Sequence, residues 1–333
     1  MIEGGSAKPF VSVIIPTFNR ARSVVETVKS FRAQTYPGDR FEILVVDNGS
    51  SDETPMAIPE MAYRSPRVRF LTEPRRGAHF ARNSGAKAAR GEILYFTDDD
   101  MIADPNMLEA IVPAFETGAN VASATGKVVP LWETEPPAWV LAHCKNEILS
   151  LNDRGEGLMI SDRDPGVFSC HQAVVRHAFF AAGGFNPDTN ADRFVGDNET
   201  GLNIKIAKLG YRFAYVGKSI TRHRIPGSRM SQRYLNQRFA DQGYCDSYTT
   251  FRERGPGTVR LIGDAASQIS RAIPSSVLAL GRSIRGDSRW RLNVARLFYI
   301  RNRVVYDMRL LASPKWRRFA MRSDWITEAI EAE

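Results

Sequence analysis

The sequence predicts an α/β fold: a mostly parallel central sheet with helices on both faces, followed by a helical, basic C-terminal extension. Three observations carry this. Short β-branched apolar runs alternate with segments of helical spacing through the first hundred residues. Several of those runs end in a polar cluster. From about Arg233 onward the chain reads as helix and becomes steadily richer in arginine.

The elements follow in order. Val11 to Ile15 is a β-branched run closed by Pro16, as expected of a buried strand. Ala21 to Gln34 places Val24, Val25, Val28 and Phe31 on one helical face. Phe41 to Val46 is a second strand and runs into the turn formers Asp47-Asn48-Gly49-Ser50-Ser51-Asp52. Val68 to Leu71 is a third strand. A helix from about Ala78 to Ala89 stops at Arg90-Gly91, and a fourth strand, Ile93 to Thr97, stops at Asp98-Asp99-Asp100. After Ala124 the alternation weakens. Residues 130–165 read as loop with short helix, Asn198 to Leu209 as a helix, and Tyr211 to Val216 as a last strand.

Composition sets the class. Of 333 residues, 43% are hydrophobic and 25% charged, the balance of a globular chain with a sizeable core. The net charge of +8 is unevenly placed: 16 Lys/Arg and 8 Asp/Glu follow from Arg252 on, leaving 29 of each sign before it. A nucleic-acid binder would spread that excess over its working surface, so no nucleic-acid partner is expected. Cys144, Cys170 and Cys245 are widely separated, which predicts reduced thiols, a cytoplasmic setting and no structural zinc. The opening MIEGGSAKPF has no apolar core of a signal peptide, and no run approaches the length of a membrane span.

In open α/β sheets ligands sit beyond the carboxyl ends of the strands. Those ends here carry Pro16-Thr17-Phe18-Asn19-Arg20, then Asp47, then Asp98 to Asp100, so the three clusters describe one site. Three adjacent acids repel one another, and a divalent Mg²⁺ or Mn²⁺ shared with a phosphate resolves the conflict. A solvated acidic turn would carry the same triplet. Asp47 suits a ribose or base contact, or equally an Asx turn. Arg82 lies inside the helix that starts near Ala78, close to Arg75 and Arg76, a pattern suited to anionic phosphate. Asp197 and Glu199 open a later helix, where acids also favour the helix dipole. As a general base, one such carboxylate can deprotonate an attacking hydroxyl. His223 stands after the last strand.

Five ordered motifs resemble the family 2 glycosyltransferases of the GT-A fold: VSVIIPTFNR, EILVVDNGSSDET, GAHFARNSGAKAARGEILYFTDDD, GGFNPD and GDNETGL with its following KLGY. The resemblance covers about residues 10–225. It implies an inverting, metal-dependent hexosyltransferase-like enzyme of cell-surface polysaccharide or glycolipid biosynthesis. It implies that Pro16, Thr17, Phe18, Asn19, Arg20, Asp47, Arg82, Asp98 and Asp99 bind the nucleotide-diphospho-sugar donor, with a UDP-sugar favoured. Asp98 and Asp100 match the D-x-D acids, and His223 the metal-binding histidine, for Mn²⁺ or Mg²⁺. Glu199 falls on the base position, with Asp197 as substitute because Asn198 departs from the family's acidic pair. Gly183, Gly184 and Phe185 match the loop beneath the acceptor site. Trp132 is expected at the pocket for a saccharide or lipid-linked acceptor.

The resemblance also sets the expected organisation: a catalytic domain over 8–232, with a donor half to about 125 and an acceptor half from 126, then a helical basic region over 233–333. Residues 290–312 carry apolar positions 290, 294, 297, 298, 304, 305, 308 and 311, with Arg289, Arg296 and Arg303 on another face. Such a helix either lies peripherally on an anionic membrane or packs on the domain. Two other functions fit parts of the pattern. A sugar-phosphate nucleotidyltransferase would want a lysine- or glycine-rich phosphate loop in place of PTFNR, and a non-catalytic module would bind donor without releasing nucleotide. A dehydrogenase would need a GxGxxG after the first strand, which is lacking.

Overall fold

The computed structural model describes residues 8–144, 148–187, 196–255 and 257–327. The N-terminal seven residues, 145–147 of the expected loop, Asp188 of GGFNPD and the final six residues lie outside the described residues.

The first half follows the predicted alternation. Strands β1 (Val11–Thr17), β2 (Phe41–Asp47), β3 (Val68–Thr72) and β4 (Ile93–Thr97) are joined through α1 (Ala21–Arg32), α2 (Thr54–Tyr63) and α3 (Ala78–Ala88). β1 pairs in parallel with β2 and β4, and β2 with β3. Every residue of β1, β2 and β4 is buried, as expected of strands covered by helices on both faces. Helix α2 occupies a stretch for which the sequence predicts no element. Pro55 sits in its first turn, where a missing N–H costs nothing, and Pro59 lies inside it.

The second half differs from the expected loop and short strand. β5 (Met101–Ala103), α4 (Met107–Ile111), β6 (Val121–Trp132), α5 (Ala138–His143), β7 (Leu158–Ser161), β8 (His171–Val175), α6 (Arg176–Ala181), α7 (Asn198–Lys208) and β9 (Arg212–Ile225) complete the sheet side. The order is β3-β2-β1-β4-β8-β6-β9-β5, with β7 also on β9. β8 is antiparallel to both β4 and β6, while β6 and β9 run parallel. The predicted last strand therefore continues to Ile225, and His223 is a strand residue. A register shift between Gly126 and Lys127 breaks the long β6–β9 pair into two stretches. The later stretch of β9 pairs with β5, setting Met101 opposite His223.

The basic region forms α8 (Gln232–Arg254), α9 (Thr258–Ser270), α10 (Ala272–Ile284), α11 (Trp290–Ala312) and α12 (Pro314–Met321). α11 lies along α8 and also touches α9, α10 and α12. The two long helices approach so closely that a Cβ on Gly243 would stand 2.3 Å from the Tyr299 carbonyl oxygen. The buried face of α11 is Asn293, Ala295, Ile300, Asn302, Tyr306, Asp307 and Leu310. None of the eight expected apolar positions belongs to it. The face that anchors α11 mixes polar and apolar groups, which a hydrophobic stripe could not reveal. Beyond α12 the chain returns to the sheet domain: Ile326 joins the main core, and Trp325 N–H donates to Gly183 O at 2.9 Å. Among the described residues no helix is long and apolar enough to cross a membrane.

Candidate active site

The strand-end clusters are stitched together by their own side chains. Asn19, at φ +52°, accepts from Ser51 N–H at 2.7 Å, while its N–H donates to Ser50 Oγ at 2.8 Å. Asp47 accepts from Ser50 N–H at 3.1 Å, an Asx turn that orders the second loop. Asn48 was not singled out from sequence, yet it ties this loop to the third. Its amide donates to Glu73 O and Arg75 O, and its Oδ1 accepts from Gly77 N–H. Pro16 lies within β1, and half-exposed Phe18 carries the Arg76 guanidinium 4.1 Å above its ring.

Three arginines hold the three aspartates, with Arg20 shared by two of them. Asp98 pairs with Arg82. Asp99 accepts from Thr17 Oγ1 at 2.8 Å and from Arg20 at 2.9 Å. Asp100 Oδ2 accepts from Arg20 at 2.9 Å and from Arg229 at 2.8 Å. Helix α1 fixes the turn beneath them, since Ser23 and Thr27 hydroxyls both donate to Asp99 O. Burial pushes Asp99 up to about 6, against the pull of Arg20. At Asp100 burial also acts upward, but His223, Arg229 and Arg20 outweigh it and hold the carboxyl well below its ordinary range.

The fit to a cation rests on Asp100 Oδ1 and His223. That carboxylate oxygen is buried without a hydrogen-bond partner among the described residues and lies 3.7 Å from His223 Nε2. His223 Nδ1 donates to Leu149 O at 2.8 Å, so Nε2 carries the lone pair and accepts from Arg229 at 2.5 Å. Once Arg229 gives up that lone pair, an oxygen and an imidazole nitrogen on one side would suit Mn²⁺ or Mg²⁺. Asp98 is directed to Arg82 instead of to this point. Among the described residues no three His, Cys, Asp or Glu side chains gather as a complete metal cage. Donor phosphate oxygens would have to finish the coordination.

A chain of polar contacts leads from Asp98 to the predicted base. Arg82 donates to His79 Nδ1 at 2.8 Å. Guanidinium has only donors, so His79 is the tautomer with its proton on Nε2, which lies 3.6 Å from Glu199 Oε2. Burial, and then Arg82, hold His79 well below its ordinary pKa, so it is neutral. Glu199 is pushed up by burial while Arg82 and Arg238 pull it down. Ser169 Oγ stands 3.4 Å from the same Glu199 oxygen. His79 was missed in the sequence, although its position three residues before Arg82 on one helix was a usable signal.

The remaining expected residues stand in buried or packed settings. Asp197 is turned into the α8 interface, with one oxygen accepting from Asn186 at 2.6 Å and the other from Thr249 at 2.8 Å. Both oxygens are engaged in burial, which leaves Glu199 as the carboxylate on the site. Gly183 and Gly184 adopt φ of +71° and +70°, and a Cβ on either would meet Ser323 O or Asn83 Oδ1. They let the C-terminal segment pack against the loop. Phe185 is fully buried, its ring 4.7 Å from that of His79, so it supports the site from below. Trp132 ends β6 half-buried against a second core cluster that includes Met101 and Val128.

Beside the acids opens a cleft of about 760 Å³, lined among others by Asn19, Arg20, Asp52, Asp100, Arg224 and Arg229. Its size and charge suit a phosphorylated small molecule. Arg229 follows β9 in the 3₁₀ turn Gly227–Met230, outside every sequence motif.

Comparison with known proteins gives this geometry its setting. The profile of "Glycosyl transferase family 2" matches residues 12–180, just over half the chain. The glucosyl-dolichyl phosphate glucuronosyltransferase of Haloferax volcanii is 26% identical over 70% of this chain and 75% of its own. Glycosyltransferase AglD of the same organism is 33% identical over 61% of this chain, which spans about a third (32%) of that longer relative. The mannosyltransferase PcManGT from Pyrobaculum calidifontis, solved with GDP-Man and Mn²⁺, superposes with a TM-score of 0.59 at 20% identity. The match covers 91% of this chain and 88% of that one. The chain thus belongs to glycosyl transferase family 2, as a sugar-transferring enzyme of the GT-A fold.

Proposed function

We propose that the protein is an inverting transferase that moves a sugar from a nucleotide diphosphate donor to an acceptor hydroxyl. The observation that carries this reading is the run Asp98, Arg82, His79, Glu199, which joins the donor-side acids to one candidate base.

In this reading Glu199 takes the proton of the acceptor hydroxyl as its oxygen bonds to the anomeric carbon. The bond from that carbon to the diphosphate breaks, and its electron pair leaves with the phosphate. Arg20 and Arg229 face the departing group from the cleft. A cation held by Asp100 and His223 would neutralise charge on the diphosphate when bound. His79 turns its Nε2–H towards Glu199 across 3.6 Å, within reach of a hydrogen bond once the site tightens on substrate, and Arg82 fixes the imidazole tautomer. Asn19 and Asp47 order the loops on which the nucleoside would rest.

The first relative acts, by its name, on a dolichyl phosphate-linked sugar, which supports a lipid-linked acceptor here and with it peripheral membrane contact. The neighbour's GDP-Man widens the donor search beyond UDP-sugars. The test is a panel of nucleotide sugars with and without Mn²⁺, read as nucleoside diphosphate release. Release from one donor, lost in Glu199→Gln, is the expected result. Donor binding without release by any member would favour a binding module instead.

A further inference from the structure

We infer that α9 and α10 form a surface that seats on an anionic lipid bilayer. On α10, Ile273, Val277, Leu280 and Ile284 are 72%, 65%, 66% and 77% exposed, at spacings of four, three and four. That is one helical stripe. The face α10 turns inward carries only Ser275 and Ala279. On α9, Val259, Ile262 and Ile269 are likewise exposed, while Leu261 and Ala265 are buried. α10 thus shows its bulky aliphatic groups to the outside and keeps only small ones within, and α9 adds three exposed aliphatics beside its buried Leu261, the reverse of a helix pair built for water alone.

Charge identifies the occupant. Arg260, Arg271 and Arg285 are exposed around the stripe, and Asp264 is the one acid between residues 258 and 286. A second copy would bring the same arginines against themselves, a like-charge cost. Anionic lipid supplies both the apolar phase and the opposite charge. Next to the two helices lies a cleft of about 360 Å³ whose lining sets Arg238, Arg271 and Arg296 against one acid, Asp246, giving phosphate head groups a net cationic recess. The stripe is not the one expected at 290–312, where six of the eight apolar positions are half-buried and only Phe298 and Met308 are exposed.

This deepens the lipid-linked acceptor reading by naming its surface, yet the test needs no transfer. The full chain is sedimented with vesicles of phosphatidylcholine, alone or mixed with phosphatidylglycerol. Two variants accompany it, Ile273→Asp/Val277→Asp/Ile284→Asp and Arg260→Glu/Arg271→Glu/Arg285→Glu, all at exposed positions. Binding to the mixed vesicles, weaker by on the order of 100-fold in either variant, is the expected result. Unchanged thermal unfolding and unchanged donor hydrolysis in both variants would show that only docking was lost. Equal binding by wild type and variants, no preference for the anionic vesicles, or a dimer in ultracentrifugation that the aspartate variant splits would each overturn the inference. Failure here with donor hydrolysis intact would leave the transfer reading standing.

Discussion

His79 Nε2 lies 3.6 Å from Glu199 Oε2, with Arg82 bound to its other ring nitrogen at 2.8 Å. A neutral imidazole N–H directed at a carboxylate favours the ionised form of the acid and restrains its position. Replacing His79 by Ala should lower kcat by about tenfold, the value of the one hydrogen bond that forms when the 3.6 Å gap closes on substrate binding, with KM for donor nearly unchanged. The acid limb of the pH profile should move to higher pH, and His79→Gln should recover part of the loss. Steady-state kinetics across pH checks both.

Glu199 itself should behave as a base with a raised pKa. Burial lifts its carboxyl above the ordinary 4.5, so the working ionised form accumulates only as pH rises through that higher value. Turnover should therefore climb with pH along an acid limb lying above the usual glutamate range. Glu199→Gln should cost on the order of 10²–10⁴ in kcat and abolish the limb. A variant that kept both rate and limb would exclude the assignment.

Asp100 and His223 should set cation affinity. Asp100→Asn and His223→Ala should each weaken Mn²⁺ binding, measured by calorimetry in the presence of nucleoside diphosphate. The loss should reach at least the roughly 10- to 100-fold seen when only a ligand's supporting partner is removed. Chelation should suppress transfer in the wild type.

Stability at low pH should depend on Glu42, a fully buried carboxylate in β2 bound to Ser12, Arg69 and Arg90. Burial pushes its pKa up, but these hydrogen bonds outweigh burial and leave it below 4.5. A depressed folded-state pKa means stability that is complete above the unfolded value and disappears as pH falls through the folded one. Glu42→Gln should cost about 2 kcal/mol at neutral pH and progressively less in acid, read from denaturant unfolding.

The strands that hold the donor-side clusters were legible because both of their faces are buried, which leaves unbroken runs such as Val11–Ile15 and Phe41–Val46. β9 was legible only to Val216. Beyond it the inward residues are Ser219, Thr221, His223 and Ile225, and a polar inner face gives no hydrophobic period to read. α2 was hidden by its prolines and α11 by its buried Asn293, Asn302 and Asp307. The acids of the site stood out at strand ends. Their partners did not: His79 looked like one more polar helix residue, and Arg229 like one more surface arginine. Which groups meet is decided by the β5–β9 register and by α3 packing, both long-range facts.

The return of the chain at Trp325 and Ile326 has a consequence for biosynthesis. Asn83 of α3, one residue after Arg82, clasps the backbone of Phe185 through both ends of its amide, and its Nδ2 lies 3.5 Å from Trp325 O. A nascent chain still lacking residue 326 has made every acid and arginine of the site but not the segment that packs on the Gly183 loop and Asn83. The helix that carries Arg82 should therefore become fully braced only after that segment has been made and docked.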